Sequence, residues 1–82
     1  MKVLVVEDEA LLARSLARGL RAEGIAVDLA HDGIAGRDAA LRGHYDVVVL
    51  DIMLPGLQGY RVLQEIRAAD VATRVIFMSE LL

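Results

Sequence analysis

The sequence predicts an α/β domain built on a parallel β-sheet with helices on both of its faces. Two observations carry that expectation. Four short apolar runs, most of them rich in β-branched residues, alternate with three stretches of helical periodicity in the order βαβαβαβ. Short connections between them imply parallel strands joined by right-handed crossovers. The run Val47-Val48-Val49-Leu50, moreover, is apolar without alternation, as a strand is when both its faces are covered.

Taken in order, residues 2–6 form the first strand, bounded by acids. Residues 9–23 form an amphipathic helix, with Leu12, Leu16 and Leu20 on one face and Arg14, Arg18 and Arg21 on another. Gly24 ends it, glycine being the residue that takes the left-handed conformation most cheaply. Residues 25–30 read as a second, less apolar strand. Asp32-Gly33 make a turn, residues 34–42 a short helix, and Gly43 closes it. The third strand ends at Asp51, and Pro55-Gly56 break the chain. Gly59 precedes a helix over 60–68 with Val62, Leu63 and Ile66 inward. Residues 74–78 make the fourth strand, with Phe77 and Met78 as core residues.

The composition narrows the function classes. The 82 residues form one small domain, with no repeat, low-complexity segment or linker. Nine basic and twelve acidic residues are interleaved to a net charge of -3, which argues against a nucleic-acid contact by this segment. The absence of cysteine excludes disulfides and thiolate zinc sites and suits a cytoplasmic location. The first apolar run is cut off by Glu7 and Asp8, too soon for a signal peptide or a membrane span. A hydrophobic fraction of 56% and a mean hydropathy of +0.48 are high for so short a chain. The domain therefore either assembles with something or belongs to a larger unit.

Two strands end in acid, the first in Glu7-Asp8-Glu9 and the third in Asp51. In open parallel sheets ligands bind beyond the carboxyl ends of the strands. If these strands are neighbours, Glu7, Asp8 and Asp51 converge, and like charges so close require a cation. Mg²⁺ suits oxygen ligands of this kind. Acids at this position also favour a helix N-terminus through its dipole, and that suffices for Glu9. For Asp8 together with Asp51, a metal site is the better reading. His31 and His44 stand isolated in loops and read as solvated surface, as does the arginine stripe.

Val5-Val6-Glu7-Asp8-Glu9, followed by Val49-Leu50-Asp51-Ile52-Met53-Leu54-Pro55-Gly56-Leu57-Gln58-Gly59, resembles the receiver domain of bacterial two-component response regulators. The likeness is greatest to the subgroup attached to winged-helix DNA-binding domains, and it runs the length of the chain. It implies a flavodoxin-like (CheY-like) sheet of strand order 2-1-3-4. It implies that Asp51 accepts a phosphoryl group from a sensor histidine kinase with Mg²⁺ or Mn²⁺ bound. Asp8 would ligate the metal directly, Glu7 through water and Met53 through its backbone carbonyl. Ser79 would be the hydroxyl that turns toward the phosphoryl oxygens. Such a domain is a signalling module rather than an enzyme, and a DNA-binding effector domain is expected in the full-length parent.

Residues 1–82 match that pattern as a partial receiver. The resemblance implies a further helix, strand and helix, on the order of forty residues, which this sequence lacks. With them go a phosphoryl-contacting lysine and an aromatic partner for Ser79. Glu80 stands where a small residue is usual, and Gln58 where Asp, Asn or Ser is. These departures lead us to expect metal binding to survive better than phosphorylation. They also lead us to expect a homo-oligomer through the open edge of the fourth strand. The competing reading is a self-associating receiver fragment without phosphotransfer. A Mg²⁺-dependent phosphatase with an aspartate nucleophile fits poorly, since such enzymes place a second acid where this chain has Met53.

Overall fold

All seven elements form, in the expected order. The computed structural model describes residues 1–69 and 71–78. Strands β1 (Lys2–Val6), β2 (Ala26–Ala30), β3 (Val47–Asp51) and β4 (Arg74–Met78) alternate with helices α1 (Ala10–Ala22), α2 (Gly33–Arg42) and α3 (Gly59–Ala68). The strands make one parallel sheet in the order β2-β1-β3-β4. Val3 to Val6 lie opposite Val47 to Leu50 in register, so the ends of β1 and β3 sit side by side.

Side chains alternate across the sheet with the period of two that strands impose. Leu4, Val6, Val48 and Leu50 face α2 and α3 and form a cluster with Ala40, Leu54, Val62 and Ile66. Val3, Val5 and Val27 face α1 and close on Ala17. The second cluster is smaller because among the described residues only one helix covers that face. This accounts for a departure from the expected helix face. Ala13 and Ala17 are the fully buried residues of α1, while Leu12, Leu16 and Leu20 are only half-buried around them. Small alanines let the helix lie close, and the leucines spread over the rim of the face.

Helix α2 begins one residue earlier than the turn residues suggested. Asp32 is its N-cap, accepting from the Ala35 N–H at 2.7 Å, and Gly33 is already helical. Gly24 takes φ +81 beyond α1, as expected. Gly43 does not: its φ is -89, and what it supplies is room, since a Cβ there would strike the Tyr45 ring.

Phe77 is not a core residue. It is 40% exposed and Ile76 is 56% exposed. Among the described residues no strand lies outside β4, so one side of the strand has nothing to pack against. At the opposite ends of the strands, Tyr45 Oη donates to Asp28 at 2.6 Å and Lys2 Nζ lies 4.8 Å from the centre of its ring.

Candidate metal centre

The acidic site is assembled by the register of β1 on β3. Glu7 directly follows β1; its N–H donates to the Ala30 carbonyl at 2.9 Å, and its side chain is 1% exposed. Asp51 ends β3 and is 7% exposed. Asp8 is exposed at the mouth. One carboxylate oxygen from each of the three lies within 4.8 Å of the others.

Two features set this cluster apart from ordinary surface acids. Glu7 Oε1 accepts the Glu9 N–H at 3.3 Å, but Glu7 Oε2 is buried without a partner. Buried polar atoms in native structures are almost always satisfied by protein, water or an ion. Second, burial pushes the Glu7 carboxyl up to about 7, with the adjoining Asp51 carboxylate the next cause and Asp8 adding to it. The Glu9 N–H offsets only part of this. A hard divalent cation at the cluster would answer both, since it would offer the orphaned oxygen a partner and favour the ionised form of Glu7. The donor set fits such an ion: all oxygen, two buried carboxylates and one at the mouth.

The loop after Asp51 is held tightly. Asp51 Oδ1 accepts the Met53 N–H at 3.2 Å, which fixes the carboxylate through the backbone of the neighbouring loop. The Met53 side chain is 70% exposed, so any part this residue plays belongs to its main chain. Ile52 N–H donates to the Met78 carbonyl and Gly59 N–H to the Ile52 carbonyl, at 3.2 and 3.0 Å. A Cβ on Gly59 would collide with the Asp51 carbonyl oxygen, so α3 can start here only with glycine. Gly56 takes φ +82 in the same loop.

The structure thus brings Glu7, Asp8 and Asp51 together and places Met53 beside Asp51. Ser79 and Glu80 lie outside the described residues. Two contacts went unseen in the sequence. His31 is exposed, as expected, yet its Nδ1 lies 3.1 Å from the Glu7 carbonyl oxygen. Gly33 N–H donates to the Pro55 carbonyl at 3.1 Å. The only signal for either was that His31 and Gly33 follow the strand bordering β1.

Comparison with known proteins agrees with this geometry. The family described as response regulator receiver domain matches residues 3–81. An uncharacterized transcriptional regulatory protein, YkoG of Bacillus subtilis (strain 168), is 47% identical over 77 residues, covering 94% of this chain and 34% of its own. The receiver domain of the Francisella response regulator 1452 superposes with a TM-score of 0.92 at 34% identity, over 98% of this chain and 66% of that one. The Thermotoga maritima response regulator TrrA, solved in complex with Mg²⁺-BeF, gives 0.89 at 35% identity, over 95% and 68%. The chain therefore spans about a third of the length of the transcriptional regulators it matches.

Proposed function

Since the chain belongs to the response regulator receiver domain family, we propose that Asp51 is its phosphoryl acceptor and that Glu7, Asp8, Asp51 and the Met53 carbonyl form its Mg²⁺ site. The observation that carries the reading is the three-carboxylate cluster with the buried, unpartnered Glu7 Oε2. The solved TrrA complex with Mg²⁺-BeF supports the choice of ion; Mn²⁺ has the same ligand preferences.

Asp51 supplies the nucleophile. One carboxylate oxygen attacks the phosphorus of a phosphohistidine, a P–O bond forms, the P–N bond breaks, and the imidazole leaves as an acyl phosphate is made. The Met53 N–H on Oδ1 orients the carboxylate and leaves the other oxygen to react. When bound, a divalent ion would neutralise charge on the phosphoryl oxygens and take the three carboxylates from -3 to -1. Ser79 resembles the hydroxyl that would then turn toward those oxygens.

The partner we propose for the site is a sensor histidine kinase in the cytoplasm, with a DNA-binding effector domain in the parent protein. Among the described residues, no helix is long and apolar enough to cross a membrane. Within these 82 residues the sole lysine, Lys2, starts β1 at the end remote from Asp51. Phosphorylation of this 82-residue chain by acetyl phosphate is therefore expected to lag well behind metal binding. The deciding experiment is titration with Mg²⁺ or Mn²⁺ on the chain and on Asp51→Ala. One ion per chain is expected, and loss of binding in the variant; undiminished affinity in the variant would reject the site.

A further inference from the structure

The segment between β2 and α2 touches both loops that carry the acids. On one side His31 Nδ1 lies 3.1 Å from the Glu7 carbonyl oxygen. A carbonyl only accepts, so the ring must donate from Nδ1. That bond ties the β1–α1 loop at the residue whose side chain is buried in the site. On the other side Gly33 N–H donates to the Pro55 carbonyl at 3.1 Å. A Cβ on Gly33 would overlap the Leu57 carbonyl and approach the Leu57 Cβ. Helix α2 is thereby seated against the backbone of the loop that runs from Asp51 to Gly59. Three residues farther on, Gly36 lies against the Val6 side chain, immediately before Glu7.

We infer that the β2–α2 junction, through His31 and Gly33, is a positioning element for the acidic site, holding the Glu7 and Asp51 loops at one fixed separation. Neither residue touches the ion or the reacting oxygen. Each acts through backbone: His31 through the Glu7 carbonyl, Gly33 through Pro55 and Leu57. Carboxylates that must share one cation tolerate little change in spacing, so partners outside the ligand shell set its affinity. This inference rests on the metal site proposed above.

Its test is Mn²⁺ binding to the 82-residue chain, followed by electron paramagnetic resonance of the free ion. His31→Ala removes the donor and should weaken Mn²⁺ binding about threefold to tenfold, the ratio one ordinary hydrogen bond supports. His31→Asn places an amide donor near the position of Nδ1 and should restore most of it. Gly33→Ala forces the loop away and should cost roughly 10–100-fold. Ile66→Val, a core change late in α3 at a residue hydrogen-bonded to neither His31 nor Gly33, should lower the melting temperature and leave Mn²⁺ affinity unchanged. Should Gly33→Ala not fold, the His31 pair decides alone, since that side chain is on the surface. Equal affinity in wild type, His31→Ala and His31→Asn would overturn the inference, as would an equal loss in His31→Ala and His31→Asn. Absence of Mn²⁺ binding to the wild type would overturn the metal site itself, a different result.

Discussion

A single side chain, Glu7, holds most of the site's electrostatic tension. Its carboxyl is pushed from an ordinary value of 4.5 up to about 7, chiefly by burial and then by Asp51. An acid whose pKa is higher folded than unfolded binds more protons in the folded state between those two values. Its contribution to stability is thus fully present below about pH 4.5 and is lost as pH rises through about 7. Without metal, the melting temperature should fall across that window, since each tenfold difference in proton affinity between folded and unfolded chain is worth ~1.4 kcal/mol. Melting curves in chelator at a series of pH values check this, and Glu7→Gln should flatten the profile. A slope unchanged in that variant would assign it to another group. Added Mg²⁺ should reverse the trend near neutrality, because it binds the ionised carboxylates of the folded state alone.

Helix starts and ends show how local chemistry and close approach divide the work between glycines. Gly59 lies against the Asp51 carbonyl, whereas a Cβ on Gly19, exposed on α1, would meet nothing within 4 Å. Gly59→Ala should therefore weaken both stability and metal binding, since the displaced atom belongs to the backbone of Asp51. Gly19→Ala should stabilise by about 0.5–1 kcal/mol, the usual gain in a helix interior. Urea denaturation of the two variants gives both signs at once; a Gly59→Ala chain as stable as wild type would show that α3 can start elsewhere. The N-cap of α2 belongs here too. Asp32→Ala should cost about 1 kcal/mol by freeing the Ala35 N–H.

At the scale of the whole molecule, β4 has a partner strand on one side only among the described residues. Arg74 N–H donates to the Asp46 carbonyl and the Met78 carbonyl accepts from Ile52 N–H, so 74, 76 and 78 direct their main-chain groups toward β3. By the alternation of a parallel ladder, Val75 and Phe77 direct theirs outward. With Ile76 and Phe77 exposed on the same strand, we expect two copies of the 82-residue chain to pair antiparallel along Val75–Phe77. Sedimentation at tens of micromolar, about the range in which such association is read, should show a dimer or larger species. Phe77→Pro removes an outward donor, spares the ladder to β3, and should dissociate it. A folded monomer of the unsubstituted 82-residue chain would reject the pairing.

The strand order followed from the resemblance to receiver domains, whereas the elements, the parallel sense of the strands and the acids at their ends were determined by the sequence itself. Each of these is written in local patterning: period two in the strands, near four in the helices, glycine at Gly24, and acids directly after β1 and at the end of β3. What only the tertiary structure decided depends on residues distant in sequence meeting at fixed separation. The burial of α1's alanines ahead of its leucines depends on how much of one sheet face is covered. The exposure of Phe77 depends on β4 having, among the described residues, a neighbouring strand on one side only. The bond from His31 to the Glu7 carbonyl spans 24 residues, and the seat of Gly33 on Leu57 is a matter of backbone clearance. Patterning reports which face a residue takes, and packing sets the distances on which the acidic site depends.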